Sequence, residues 1–375
     1  MLKMRADSLR TAISSRTAIS PVLLLLSLCS SSALVLDGHV HISNLSFSYP
    51  WSSPCPDTPC PAAPPCICEW SVEDYVANTT RLPSDRFVFV EVAVLKEDWL
   101  AEAQWVQSIA DGGDKRVGAI IAQTPPGFGE PGADVAALGA ALDALAALPL
   151  ARGVRISSVD FTNASLVPVV SQHVGLLAAR GLTSVDVILP LGALALAVDN
   201  LAAVAAAQPS VTFILDHIGS PPYLLANASL LPGWRAAMAQ LGKVDNFVCK
   251  VGGVLQGYKS TGIVPGVDVV RPFVEHALVS FGYEKSLYEG NWLQVNRPPP
   301  TYSPTFETSD TTANFHFCFR PIHSFVNWLS PPLLDQYNLF AGYINDILAG
   351  LGASDADRDA YFWQTGSKAY RVAAP

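Results

Sequence analysis

Two histidines one residue apart, in Asp37-Gly38-His39-Val40-His41, stand where the apolar run Leu34-Val35-Leu36 gives way to a polar loop. Side chains two apart on a strand share a face, so the pattern predicts Asp37, His39 and His41 pointing the same way at the strand's last turn. Neutral imidazoles so placed are ligands for Zn2+ or Mn2+. A second apolar run, Val211 to Leu215, ends in Asp216-His217-Ile218-Gly219. His217 would complete the metal cluster with His39 and His41, or act as an acid or carbonyl-polarising group. Asp216 alternates with His217, so it is expected to face the helix layer and orient its neighbour.

Other charged residues end apolar runs. Glu91 is costly to bury unpaired, which makes it a ligand, a base or the partner of a cation. Arg155 and Lys250 are candidate clamps for a substrate carboxylate or carbonyl oxygen, with an ion pair to Glu91 or Glu289 as the other reading. Glu289 lies two residues before Asn291 and shares its face one layer deeper, as a base acting through water or as half of a buried salt bridge. Trp292, Trp51 and Tyr49 are candidates for stacking on a ring, and equally for plain packing.

These residues need a scaffold that brings strand ends together. Short apolar, β-branched runs recur at Leu34–Val40, Arg86–Val94, Arg116–Ala122, Gly153–Ile156, Ser184–Leu189, Val211–Asp216, Asn246–Val251 and Ser286–Asn291. Helical periodicity lies between them, at Lys96–Ala110, Asp134–Leu148, Leu166–Arg180, Leu194–Ala207, Gly233–Leu241 and Val267–Val279. Strand and helix alternating eight times predicts an α/β fold, a (β/α)8 TIM barrel with its active residues on the loops after the strands. An open doubly wound sheet is the alternative, but no Gly-rich phosphate fingerprint follows the first run. The Cys/Pro-rich stretch after strand one and the polar stretch from Gln294 to Asn314 are insertions expected over the same mouth.

The 375 residues are 50% hydrophobic and 15% charged, which suits one large domain. Residues 1–33 read as a targeting segment, with Lys3, Arg5, Arg10 and Arg16 ahead of the short apolar run Val22–Leu28. That run is too short to span a bilayer comfortably. Residues 34–375 then form a single domain, whose charge moves from -9 to about -12 and argues against nucleic acid as a partner. Sequons at Asn44, Asn78, Asn163 and Asn227 favour the secretory route over an organellar transit peptide, and predict a glycoprotein. Cys55, Cys60, Cys66 and Cys68 crowd one Pro-rich stretch and predict two disulfides of open pairing, with a zinc knuckle as the rival reading.

Taken in order, Asp37-Gly-His39-Val-His41, Tyr49-Pro50-Trp51, Ser71-Val-Glu-Asp-Tyr75, Val90-Glu91, Gly153-Val-Arg155, Asp216-His217-Ile-Gly219, Lys250-Val-Gly252-Gly253, Glu289-Gly290-Asn291-Trp292 and Tyr361 through Tyr370 resemble the amidohydrolase 2 family. The branch they are most similar to is that of the sugar-lactone and pyrone-lactone hydrolases. The resemblance implies a (β/α)8 hydrolase opening a small lactone, with one divalent metal ion on His39, His41 and His217 or with metal-free action. It also implies His217, Glu91 and Asn291 as catalytic groups, and Arg155, Lys250 and Trp292 as substrate contacts. One departure matters: the family carries Asp where this chain has Asn291, and an amide accepts hydrogen bonds but is no base near neutral pH. A catalytically reduced binding protein and a non-oxidative decarboxylase are the alternatives.

Overall fold

Eight short runs rich in Val, Ile, Leu and Phe are buried on both faces, which suits parallel strands covered by helices. The computed structural model describes residues 33–54, 66–223, 225–261, 264–292 and 336–375. Its strands are β1 (Leu36–Val40), β2 (Arg86–Val90), β3 (Val117–Gln123), β4 (Ala151–Ile156), β5 (Ser184–Val187), β6 (Thr212–Leu215), β7 (Phe247–Gly252) and β8 (Ser286–Glu289). They pair in parallel in chain order, and a bridge between Val40 and Trp292 brings β8 back to β1. This is the expected (β/α)8 barrel.

The helices follow the sequence periodicity: α1 (Val72–Asn78), α2 (Trp99–Asp111), α3 (Val135–Ala146), α4 (Val167–Ala178), α5 (Leu194–Ala207), α6 (Leu231–Leu241), α7 (Val267–Phe281) and α8 (Gln336–Gly350). Local chemistry starts several of them. Ser71 and Asp74 form a reciprocal capping box at α1, and Asp134 accepts the Ala136 and Ala137 N–H groups at α3. Pro168 and Pro232 occupy the first turns of α4 and α6, where a missing N–H is harmless. Two short helices, α9 (Asp355–Asp359) and α10 (Thr365–Tyr370), complete the chain's described part.

The barrel interior is layered. Its N-terminal end is apolar, with Leu36, Val88, Ile121, Ile214, Val248 and Leu287 packed on Trp363, Tyr370 and Val372 from the C-terminal segment. The Ser184 hydroxyl anchors α10 by donating to the Ala369 carbonyl. Above this floor the interior turns polar. Among the described residues, six non-glycine positions have positive φ, and five of them (Ala93, His217, Ile218, Ser220 and Asn291) lie just past the C-terminal ends of β2, β6 and β8. Backbone held this way costs roughly 1–3 kcal/mol per residue and is found where a site has to be shaped. It also ends the strands earlier than the apolar runs do, at Val90, Leu215 and Glu289.

Two expectations fall largely outside the described residues: the pairing of Cys55, Cys60 and Cys66, and the stretch from Gln294 to Asn314. Cys68 is buried, and Cys249 is a buried free thiol. No helix among the described residues is long and apolar enough to cross a membrane.

Candidate active site

The face shared by Asp37, His39 and His41 does not form. The register between β1 and β2 shifts between Asp37 and Val40, a bulge that inserts one residue and reverses the alternation. Leu36 therefore points into the barrel and Asp37 out to the helix layer, where its Oδ2 accepts from the Tyr75 hydroxyl at 3.0 Å. Its Oδ1 accepts the backbone N–H groups of His39 at 3.1 Å and Gly290 at 2.8 Å, tying the bulge to the end of β8. Burial pushes the Asp37 carboxyl up to about 6 against these hydrogen bonds. Gly38 is required here, because a Cβ would lie 2.5 Å from Leu287 Cδ1 and 2.9 Å from the Tyr288 carbonyl.

His39 and His41 do share the interior. Their Nε2 atoms are 3.1 Å apart, and His41 Nδ1 donates to the Val90 carbonyl at 2.9 Å, which leaves Nε2 of a neutral His41 as an acceptor. Burial lowers both rings' proton affinity well below the ordinary range, helped by Lys250 at His39 and by Arg155 at His41. His39 Nδ1 has two competing partners, Lys250 Nζ at 3.0 Å and Glu289 Oε2 at 3.3 Å. With Lys250 donating, His39 keeps its proton on Nε2 and passes a hydrogen bond to His41. With Glu289 accepting from Nδ1, Nε2 of His39 is free as well.

The second arrangement fits a metal. Two nitrogens bound to a tetrahedral ion at about 2.0–2.1 Å lie roughly 3.3 Å apart, close to the spacing found, and Glu289 would orient His39 as carboxylates orient metal-bound imidazoles. His39, Asp216 and His217 also form a group within ligand reach of one another. On the Nδ1 side of His39, however, the Lys250 ammonium already lies 3.0 Å from Asp216 Oδ1. The Nε2 pair is thus the part of the cluster that fits an added cation.

Asp216 does not face the helix layer. Ile214, two residues earlier, points into the barrel, so Asp216 does too, and it meets Lys250 there with Oδ1 3.7 Å from His39 Nδ1. His217 also reaches the interior because its own φ is 53° and that of Ile218 is 49°, so the chain turns instead of continuing the strand. Its Nδ1 and backbone N lie 3.0 and 3.1 Å from Glu289 Oε1. Burial alone would raise the Glu289 carboxyl, yet the contacts with His217 and His39 hold it down at about 2. Gly253, at φ +62°, clears room for this pair, since a Cβ would sit 2.5 Å from His217 Nδ1.

Lys250 is not a substrate clamp: it is fully buried beneath the histidines and ion-paired with Asp186 and Asp216. Burial opposes its charge, but these carboxylates and Glu289 raise its proton affinity above the ordinary value. Asp186, pushed up to about 7 by burial, also accepts from the Tyr370 hydroxyl at 2.9 Å. Asp186 carries a single signal in the sequence, an acid inside the apolar strand Ser184–Val187, and was not among the expected site residues. Glu91 takes the role of a cation's partner, one of those open to it, because its Oε1 binds Arg155 Nε at 2.6 Å and Nη2 at 2.5 Å. Trp292 packs edge-on against Trp70 and Tyr75, 1% exposed, and is a wall of the fold.

A cavity of about 260 Å3 opens above this polar layer, lined by His41, Trp51, Val92, Ala93, Arg155, Ile188, His217, Gln256 and Asn291. Asn291 Nδ2 donates to Gln256 Oε1 at 2.8 Å, while its buried Oδ1 has no hydrogen-bond partner among the described residues. Trp51 is held by a hydrogen bond from Nε1 to the Val92 carbonyl. The cavity therefore offers a fixed cation, an orphaned acceptor, an aromatic edge and His217, whose Nε2 is available once Glu289 holds Nδ1.

Comparison with known proteins places these features in context. The amidohydrolase family profile matches residues 36–372. An amidohydrolase from Burkholderia multivorans, solved with bound HEPES and also with bound zinc, is 16% identical, with a TM-score of 0.63 over 91% of this chain and 100% of its own. Amidohydrolase 2 from Bifidobacterium longum subsp. infantis is 20% identical, with a TM-score of 0.55 and the same coverage. A proposed 2-pyrone-4,6-dicarboxylic acid hydrolase from Pseudomonas putida is 15% identical, with a TM-score of 0.54 over 92% of this chain and 99% of its own. An uncharacterized protein of Sinorhizobium fredii is 32% identical over 85 residues, which span 22% of this chain and about a quarter (26%) of the relative.

Proposed function

The chain belongs to the amidohydrolase 2 family, and from that premise we propose that it hydrolyses a small lactone, a sugar-derived cyclic ester being the first class to test. The observation that carries the reading is the His217–Glu289 pair at the floor of a cavity that also holds Arg155 and Asn291. A carboxylate fixing one imidazole nitrogen orients the other as a general base.

In this mechanism the ester carbonyl lies toward Arg155 and its ring oxygen toward His217. His217 Nε2 takes a proton from water as the water oxygen bonds to the carbonyl carbon, and Glu289 supports the resulting imidazolium. The Arg155 guanidinium, held by Glu91, faces the negative charge that develops on the carbonyl oxygen. The carbon–ring oxygen bond then breaks, and His217 returns its proton to the leaving alkoxide, giving the open hydroxy acid. A divalent ion on His39 and His41, when bound, would supply Lewis-acid polarisation and a more acidic water. Asn291 Oδ1 accepts a hydrogen bond from a substrate hydroxyl, a role an amide performs as well as an acid.

A cyclic ester is also the substrate class in the name of the P. putida protein that shares the fold. Asn291 favours a second reading, a binding protein that has lost turnover, because the amide cannot accept a proton. A lactone panel assayed with Zn2+ and with Mn2+ separates the two. Hydrolysis of at least one lactone, lost in His217→Gln, supports the enzyme; silence across the panel overturns it.

A further inference from the structure

We infer a second binding site, for a small phosphate-type dianion, at the opposite end of the barrel. A cavity of about 370 Å3 lies by the N-terminal ends of β2, β3 and β4, and Arg86, Lys115, Arg152 and Arg371 line it. It adjoins a second cavity of about 470 Å3 that shares Arg86, Asp114 and Lys115 and adds Arg116, Asp85 and Pro375. The chain as a whole carries a formal charge of -9, so this concentration of cations runs against its overall balance.

None of the four cations has a carboxylate within 4.0 Å among the described residues. Two acids line the same cavity: Asp114 takes the Arg116 guanidinium at 2.8 Å, while Asp111 accepts from the neutral Gln107 Nε2 at 2.9 Å and keeps its charge, so the four cations outnumber the one acid not paired with a cation. The two guanidiniums nearest the C-terminal segment are held by carbonyls instead. Arg152 Nε donates to the Tyr370 carbonyl at 3.0 Å and Nη1 to the Pro149 and Ala151 carbonyls, while Arg371 Nη2 donates to the Gly181 carbonyl at 2.8 Å. Carbonyls fix the position of a guanidinium without cancelling its charge, and the charge of Arg371, after burial, further lowers the proton affinity of Arg152. Arg371 is the sixth non-glycine residue with positive φ, at 53°, and the one that lies away from the upper cavity.

Cations gathered and oriented in a concavity, in excess of the acids beside them, are the arrangement an oxyanion of two charges satisfies. The planar forks of Arg match phosphate oxygens, and Lys115 adds a point charge. The cavity has room for the phosphate group of a small ester as well as for free phosphate.

Isothermal titration of inorganic phosphate and, separately, glycerol 3-phosphate into the full chain in chloride buffer tests the assignment. Saturable binding is expected for at least one. Tighter binding of glycerol 3-phosphate identifies an ester as the occupant, and equal or weaker binding identifies free phosphate. Arg371→Gln, at an exposed residue, and Lys115→Gln should each weaken binding, the former by about tenfold or more, with circular dichroism unchanged. His217→Gln should leave affinity untouched. Absence of saturable binding, affinity unchanged in both cation variants, or loss in His217→Gln, which would move the anion to the upper cavity, overturns the site.

Discussion

Glu289 holds His217 at two points, its Oε1 lying 3.1 Å from the backbone nitrogen and 3.0 Å from Nδ1, although the two residues are 72 positions apart. The same carboxylate reaches His39 Nδ1 at 3.3 Å with Oε2. One acid thus positions imidazoles from β1 and from the turn after β6, and it sits in β8, two residues before the asparagine that stands where the family has its acid.

Glu289→Gln keeps the shape but cannot support an imidazolium. Turnover on any lactone found by the panel should fall by about 10^2-fold or more, chiefly in kcat. The carboxyl is held at about 2, below its ordinary 4.5, so its contribution to stability is present above pH 4.5 and disappears as pH falls through 2. Urea melts should therefore show the wild-type advantage over the variant shrinking as pH is lowered from 5 toward 2.

Asn291→Asp restores the acid at the family's position. If the His217–Glu289 pair supplies the base, wild type is already active and the variant changes kcat by less than about tenfold. A silent wild type that gains turnover in Asn291→Asp would establish the reduced binding protein instead.

His39→Ala with His41→Ala removes the Nε2 pair. Elemental analysis after incubation with Zn2+ or Mn2+ and desalting should find about one ion per chain in wild type and a near-complete loss in the double variant. Equal metal content in the two would rule out this pair as the ligand set.

Asp37→Asn tests the bulge. The acid's affinity for protons is raised from 3.8 to about 6 in the folded state, so the native chain holds its proton longer than the unfolded one. Its contribution is complete below pH 3.8 and is lost as pH rises through 6, by roughly 3 kcal/mol at about 1.4 kcal/mol per unit. Across that window the stability of the wild type relative to Asp37→Asn should fall as pH rises, as measured by parallel urea melts.

Gly38→Ala places a Cβ against Leu287 and the Tyr288 carbonyl. Overpacking of this kind costs about 1–3 kcal/mol, readable as a lower urea midpoint with an unchanged slope. An unchanged midpoint would mean that β1 and β8 can separate at no cost.

The barrel was legible before any coordinates, because apolar period and helix caps are local properties. Each of the eight runs Leu34–Val40 to Ser286–Asn291 overlaps one strand, and each of the six periodic stretches overlaps a helix, with ends that differ by a few residues. His39, His41, His217 and Arg155 were legible for a related reason, as polar groups ending apolar runs where a barrel keeps its mouth. The directions of side chains at those ends were not. Alternation put Asp37 beside His39 and set Asp216 on the opposite face from His217; a bulge overturned the first, and positive φ at His217 and Ile218 overturned the second by bringing His217 into the interior beside Asp216. Both departures depend on neighbours distant in the chain, such as the Gly290 N–H that Asp37 accepts. Partnership was open in part: an ion pair of Arg155 with Glu91 was one of two readings and is the one found, whereas only closure of the barrel set Lys250 on Asp186, 64 residues away, instead of on Glu91 or Glu289. Sequence by itself determined which groups are buried at the strand ends, since hydrophobic patterning requires it. Tertiary structure decided which of them neutralise one another and which remain free to act, since that depends on distances that local sequence does not encode.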